Sequence, residues 1–542
     1  MRLRGAGRGP LVSPAQADEQ SVSSTAARMS GLDVASTLAP EAAPVERARA
    51  VYPSLSEKHV AEALSQPGLR AVAALPDHDL HAASLLQKTE ILGRCLAGSV
   101  SVWRKLQLGK YAGLDLSALT QRVLTGVGHP DDMDVIRNRI GVRRLREALW
   151  RGRNEVVFSK LLDQLRQPVE PGNWKGFGGY LERVCAAPPP SANRLELLVD
   201  TAFIPALLEQ VRSAESSIDV QLFCAENDAV THEVFAALAG RAKEGVRVRV
   251  MLDDYGTRKE NADIDWQMSN LRAAGVEVHL RGSSLLRDHL WHRKIWVFDG
   301  KTAFCGGMNL GASYHSEWHD QQTRIRGPAV GQIERLFERS WSQVSDQPSA
   351  FEPGARAEPE QGGGVRTWVV GHEGGKADEN IKLAYMRAIR TSASSIRIAS
   401  PYFTDKDIVD ALCDAAQRGV KVEVVLPREI DQQFMLDAAR TLYDDLLAAG
   451  VHIYENVERM VHLKVATFDG QMATVGSSNL DARSLELNDE ANLFVHDPAF
   501  TAKVDQAFFE AGRTERTAVS EPPPGSPGLA YRYVLRQAMD LL

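Results

Sequence analysis

The chain has 542 residues, 44% hydrophobic and 25% charged, a balance that supports a sizeable core and excludes global disorder. At roughly 100 to 200 residues per domain it is too long for one ordinary core and reads as three or four units. Its 63 basic and 70 acidic residues leave a net charge of -7, which excludes a general attraction to polyanions; contact with nucleic acid or anionic lipid needs a local basic patch.

In chain order, residues 1–48 are rich in Ala, Ser, Pro and Gly without periodicity, and are expected to be a disordered tail. The start, "MRLRGAGRGPLVSPAQ", lacks the apolar run of a signal peptide, and no window approaches the roughly 20 apolar residues of a spanning helix, so any membrane contact is expected to be peripheral. Residues 49–187 carry apolar positions at helical spacing and are expected to form a separate helical domain of unknown role. Within it, "RNRIGVRRLREALWRGR" (137–153) holds seven arginines against one acid, which suits an interfacial helix, a nucleic-acid contact or simply a charged helix face. "AAPPPSAN" (186–193) ends the region, because consecutive prolines lack the amide donor and clash with a preceding helical turn.

Two segments of similar size follow, 194–345 and 365–515, separated by a Pro- and Gly-rich linker at 346–364 and followed by a tail at 516–542. They repeat one another. "SSIDVQLF" matches "SSIRIASPYF", "EGVRVRVMLDD" matches "RGVKVEVVLPR", "LRAAGVEVHL" matches "LLAAGVHIYE", and "HRKIWVFD" (292–299) matches "HLKVATFD" (462–469). In each half a helical pattern ends at Gly and runs into a β-branched stretch, the signature of helix, cap and strand. The expected fold class is α/β, a whole domain duplicated in tandem behind the helical region.

The repeated octapeptide carries the chemistry. Alternation on a strand would send His292 and Lys294, and likewise His462 and Lys464, to one face, while Asp299 and Asp469 fall where each strand ends at a glycine and read as architectural. After six intervening residues beyond each Asp comes a small-residue turn: Gly306, Gly307 and Asn309 in "GGMN", and Gly476, Ser477 and Asn479 in "GSSN". Glycine would let backbone N–H groups approach an oxyanion, and the asparagines add donors. Asp320 follows His292 by 28 residues, as Glu490 follows His462, so each imidazole is expected to give its Nδ1–H to the carboxylate at its own offset. Two His, two Lys and two Asn describe a pocket for a phosphodiester. Five scattered cysteines (Cys95, Cys185, Cys224, Cys305, Cys413) lack metal-ligand spacing and give no disulfide framework, and His289, His315, His319 and Glu317 lack a tight ligand spacing; no metal or cofactor is expected.

The pattern His-x-Lys-x4-Asp-x6-Gly-Gly/Ser-x-Asn, present twice, resembles the phospholipase D superfamily. With "EWHDQQTRIRGPAV", "SPYFTDKDIVDAL" and "GSSNLDARSLELNDEANL", the stretch 195–512 is most similar to bacterial cardiolipin synthases. The resemblance implies two α/β domains about a pseudo-twofold axis and metal-independent transfer of a phosphatidyl group through a phosphohistidine. The family's usual assignment makes His292 the nucleophile and His462 the acid/base, which sequence symmetry alone does not distinguish. It also implies a phosphatidylglycerol-like phospholipid as substrate. The scattered cysteines and the lack of a signal-like or spanning segment, a departure from the many cardiolipin synthases with two membrane-spanning helices, give the expectation of a cytoplasmic placement with peripheral contact at the inner face of the cell membrane. The competing readings are a phospholipase D-like hydrolase, a metal-independent nuclease, and a non-catalytic lipid-binding scaffold. Related nucleases often pair two single-trio chains, so nucleic acid is the less favoured partner.

Overall fold

The computed structural model describes residues 169–282, 289–345, 364–373, 379–511 and 516–521, with 532, 535 and 536. The expected tail at 1–48, most of the helical region 49–187 with its arginine-rich segment, and the linker up to residue 363 lie outside the described residues.

Helix α1 (Trp174–Arg183) precedes strand β1 (Ser191–Val199). The first half continues through α2 (Phe203–Ser213), β2 (Ser217–Leu222), α3 (Ala229–Lys243), β3 (Arg247–Asp253), α4 (Asp254–Glu260), α5 (Ile264–Ala273) and β4 (Glu277–Arg281). It closes with β5 (Ile295–Phe298), β6 (Thr302–Gly306), β7 (Gln321–Arg326) and α6 (Ala329–Trp341). The second half repeats this plan with β8 (Val365–His372), α7 (Asn380–Thr391), β9 (Ser395–Ala399), α8 (Lys406–Gln417), β10 (Lys421–Pro427), α9 (Gln433–Arg440), α10 (Tyr443–Ala448) and β11 (His452–Asn456). Then come β12 (Val465–Phe468), β13 (Met472–Gly476), α11 (Ala482–Glu486), β14 (Glu490–His496), α12 (Pro498–Asp505) and β15 (Arg516–Val519).

The strands form one sheet in the order β15-β11-β10-β9-β12-β13-β14-β8-β1-β7-β6-β5-β2-β3-β4. Apart from β15 the order is a palindrome, which expresses the duplication as pseudo-twofold symmetry about the antiparallel β1–β8 pair, joined at Ser191↔Thr367. Within each half, β2-β3-β4 and β9-β10-β11 run parallel, so helices must carry the chain back across the sheet. The glycine stops act as expected, and the structure adds the helix starts. Asp228 and Asp405 accept the Thr231 and Ile408 N–H groups at the starts of α3 and α8, and Gly245 and Gly419 follow these helices at φ +92° and +91°.

One core lies between the first-half sheet and α2, α3 and α5. A second is shared by both halves: Ile295, Val297 and Ile325 meet Val465, Val475 and Leu493, sealed by α6 and α12. Each fully buried side chain of this size contributes about 1.5–3 kcal/mol, so the two halves are bound by a true core. Lys382 on α7 is buried and bonds Asp405 (2.7 Å), Asp407 (3.0 Å) and Glu486 (2.8 Å), tying α7 to α8 and α11.

Two expected boundaries shift. Helix α1, assigned from sequence to the helical region ending at 187, packs on the second-half sheet. Trp174 and Phe177 meet Phe468 and Phe494 at ring distances of 6.1 and 5.9 Å, and a Cβ on Gly178 would lie 2.6 Å from the Trp368 ring. Its buried stripe of Trp174, Phe177 and Leu181 finds its apolar partner there. The stretch expected to be a tail from 516 begins with β15, whose backbone pairs with β11 at Ile453↔Val519 and covers what would otherwise be an open edge.

A candidate active site between the two halves

The residues of the repeated octapeptide come together where the halves meet. His292 and Lys294 precede β5 and are not in it, and His462 and Lys464 likewise precede β12. Their backbone is bound to the opposite half: His292 N donates to Asp489 O (3.0 Å) and His462 N to His319 O (2.9 Å). The bridges Trp291↔Asp489 and His319↔Val461 thus stitch each histidine segment to the segment that carries the other half's carboxylate.

The consequence corrects the expected pairing. His292 Nδ1 bonds Glu490 Oε1 at 2.7 Å, and His462 Nδ1 bonds Asp320 Oδ2 at 2.6 Å. The equal offsets are real, but the bonds cross: each half supplies an imidazole to one dyad and a carboxylate to the other. In both dyads Nδ1 is engaged, which fixes the tautomer and leaves Nε2 for a substrate.

The two dyads differ at the turn. Ser477 donates its hydroxyl to Glu490 Oε2. At the matching position a Cβ on Gly307 would lie 2.3 Å from Asp320 Oδ1, because the shorter Asp side chain holds its carboxylate against its own turn; that oxygen takes the Gln321 N–H at 2.7 Å instead. Two of the turn N–H groups expected to approach an oxyanion are engaged elsewhere. The Gly307 and Ser477 N–H groups are spent on the Gln321 and Ala491 carbonyls (2.9 and 3.0 Å). Gly306 and Gly476 are required by packing, since a Cβ would meet the Gln322 and Asn492 side chains at 2.3 and 2.2 Å.

Lys294 and Lys464 are buried and donate to the carbonyls of His292 and His462. Asn309 Oδ1 accepts the Cys224 N–H (3.0 Å) and its side chain bonds Tyr314, whereas Asn479 Oδ1 is buried without a hydrogen-bond partner among the described residues. Rings close the pocket: Phe223 lies 5.0 Å from His292, and Tyr314 and Trp318 lie 5.2 and 5.1 Å from His462. Asp299 and Asp469 stand at φ +54° and +53°, and each carboxylate takes three successive backbone N–H groups, from Glu215 to Ser217 and from Ala393 to Ser395. They hold the entry to β2 and β9, the architectural role expected of them.

Burial depresses the basic groups. His292 is driven well below its usual value by burial and then by Lys294, Lys464 and His462. His462 falls to about 4 through burial and Lys464, with Asp320 opposing. Burial brings Lys294 down to about 7 and Lys464 to about 8, against the pull of Glu490 and Asp320, and it pushes Glu490 up to about 7 against Lys294. A phosphodiester anion entering this space favours the charged form of each base, so the pocket gains cationic character as it binds.

Sequence reasoning missed several contributors. Asp200, at φ +48°, accepts the Asp320 N–H (2.9 Å) and bonds His319 Nδ1 (3.0 Å) and Arg459 (2.9 Å), bracing the loop that presents Asp320. Nothing local marks it, since its partners lie more than a hundred residues away. Trp318 and Tyr402 stood in quoted motifs without a role, and Tyr314 lay just outside one.

The family model described as "Cardiolipin synthase, PLD-like domain" matches residues 207–341 and 385–511, the two halves in turn. A cardiolipin synthase of Clostridium perfringens is 29% identical over 339 residues, covering 59% of this chain and 70% of that protein. A cardiolipin synthase of Geobacillus kaustophilus is 33% identical over 327 residues, covering 56% of this chain and 63% of the relative. The major cardiolipin synthase of Bacillus subtilis is 32% identical over 318 residues, and here too the match spans less than two thirds of the relative, 65%. Among solved structures, a phosphatidylserine synthase of Haemophilus influenzae shares the fold at a TM-score of 0.53 and 14% identity, covering 68% of this chain and 99% of that one.

Proposed function

We propose that this chain, which belongs to the phospholipase D superfamily, is a phosphatidyltransferase of the cardiolipin synthase type that exchanges the alcohol of a glycerophospholipid. The observation that carries this reading is the pair of crossed dyads: two Nδ1-anchored imidazoles beside two buried lysines, the equipment for in-line displacement at one phosphorus.

In the proposed reaction the bound phosphodiester anion first favours protonation of His462; neutral Nε2 of His292 then attacks phosphorus, and the bond to the head-group oxygen breaks as His462 gives that oxygen its Nε2 proton. An acceptor alcohol then loses its proton to His462, its oxygen attacks phosphorus, and the P–N bond to His292 breaks. Lys294 and Lys464 disfavour protonation of both histidines; His462 adds to this at His292, whereas Asp320 opposes it at His462, and this difference supports His292 as the nucleophile. Lys294, Lys464 and Asn479 would bind the phosphoryl oxygens and stabilise the charge that gathers there. The Asn309 amide is tied to Cys224 and Tyr314, so its part is to set the turn. Among the described residues no helix is long and apolar enough to cross a membrane, and lipid would be met at the bilayer surface, with phosphatidylglycerol the expected substrate.

The test is the full chain with phosphatidylglycerol vesicles and, separately, single-stranded and duplex DNA, each with chelator. Cardiolipin and free glycerol are expected; phosphatidic acid alone would make the chain a hydrolase, and DNA cleavage alone would overturn the lipid reading. His292→Ala and His462→Ala should each abolish turnover, and substantial activity in either would defeat the two-histidine scheme.

A further inference from the structure

The twofold symmetry of the site breaks at one place that the chemistry above does not use. Tyr402 lies between β9 and α8, and its carbonyl accepts the N–H of Leu480, the residue after Asn479 (3.0 Å). Its hydroxyl donates to both oxygens of Asp431, at 2.7 and 2.9 Å, with Gln432 a further donor at 3.3 Å. Asp431 is exposed in the loop between β10 and α9. At the matching position of the first half stands Cys224, buried and bonded by Tyr314, so that side of the site is closed.

The carboxylate of Asp431 is close enough to Lys464 and Lys259 to favour their charged forms, and close enough to Tyr314 to disfavour its ionisation. An anion at this place works against the binding of an anionic phosphodiester beside Lys464. Its chemistry suits the other reactant, the alcohol. A carboxylate with two accepting oxygens takes the two O–H groups of a vicinal diol, and a tyrosine hydroxyl that donates to that carboxylate keeps its lone pairs for a further O–H. Lys259 and Lys464 make the same place unfavourable for an ammonium head group.

Building on the phosphatidyltransferase reading, we infer that Asp431 and Tyr402 form the recognition site for a glycerol-type polyol on the acceptor alcohol. The second half thus selects the incoming head group by its extra hydroxyls. A water molecule or a simple alcohol would reach the phosphohistidine without this help, so the pair favours polyol transfer over hydrolysis.

The experiment is a competition in one tube: the full chain, phosphatidylglycerol vesicles, and equal concentrations of propane-1,2-diol, propan-1-ol and ethanolamine, with the phosphatidyl products counted by mass spectrometry. Product ratios do not depend on how much of a variant is folded. Loss of hydrogen bonds to a charged group should lower the diol-to-propanol ratio about tenfold or more in Asp431→Ala, and by less in Asp431→Asn and Tyr402→Phe. Ratios within about twofold of the unsubstituted chain in both Asp431 variants would overturn the inference, as would a selective loss of the ethanolamine product. Failure of the unsubstituted chain to form cardiolipin or any of the three products would instead defeat the transferase reading, and this inference with it; cardiolipin without the diol product would overturn this inference alone.

Discussion

Replacing Asp299 tests whether the acid of the repeated octapeptide is scaffold or catalyst. Its buried carboxylate takes Ser216 N (2.7 Å), Ser217 N (2.9 Å), the Ser216 hydroxyl (2.8 Å) and Glu215 N (3.0 Å). Hydrogen bonds to a charged group contribute about 1.5–3 kcal/mol each and are not additive, so Asp299→Ala should destabilise the chain by about 3–4 kcal/mol. Asn keeps an acceptor for the bonds from Ser216 and Ser217 to Oδ1 but turns an N–H toward Glu215, and should cost about 1–2 kcal/mol. At φ +54° alanine is strained and glycine is not, so Asp299→Gly should be less damaging than Asp299→Ala by about 1 kcal/mol. Burial raises the Asp299 pKa but the backbone N–H groups prevail, and the net shift is downward. A lowered carboxylate gives stability that is present above its unfolded value of 3.8 and lost as pH falls through the folded value, so the alanine variant should show a shallower acid limb. Urea unfolding at neutral pH orders the series, and turnover at 25 °C checks that the folded fraction remains active. A loss under about 1 kcal/mol in the alanine variant, or abolished turnover in a fully folded one, would refute the scaffold role.

Three further outcomes follow from the site. Because the dyads cross, Asp320→Asn acts on His462: without the carboxylate that opposes burial, His462 loses its proton at lower pH, so the alkaline limb of the kcat/KM profile should move to lower pH and the rate should fall by about 10²–10⁴, whereas an unmoved limb would argue against the pairing. Gly307→Ser forces a Cβ into Asp320 and should inactivate the chain, while the double variant Gly307→Ser with Asp320→Glu, which copies the other dyad, should recover activity; equal activity of single and double variants would contradict the packing account. Lys382→Met leaves Asp405, Asp407 and Glu486 without their shared cation and should cost about 3–5 kcal/mol in chemical denaturation, with a loss below about 1 kcal/mol as the refuting result.

The features readable in the sequence were those fixed by local physics or by the repeat. The Gly caps at 245 and 419, the buried strands after each lysine and the turn position of Asp299 at a strand end depend on backbone within a few residues, whereas the N–H groups its carboxylate holds lie more than eighty residues away. The crossing of the dyads was hidden because an equal offset of 28 residues is compatible with bonding within a half or between halves. Only the long-range bridges at Trp291↔Asp489 and His319↔Val461 decide it. The turn glycines misled for a related reason: their role is set by Gln322 and Asn492, which come from strands they do not adjoin in sequence. Strand β15 escaped notice because four residues of mixed polarity at an edge carry little signal against a Pro-rich surround.

The exchange of carboxylates between the halves also orders events during synthesis. As the chain grows from its N-terminus, His292 is made 198 residues before Glu490, the carboxylate that orients it, and Asp320 waits 142 residues for its imidazole. A nascent or truncated chain that holds only the first half therefore carries a histidine with neither a fixed tautomer nor an acid opposite it. On the proposed reading of His292 as nucleophile, the fold would work as a safety catch, arming it only when translation has delivered the second half and the two have closed on one another.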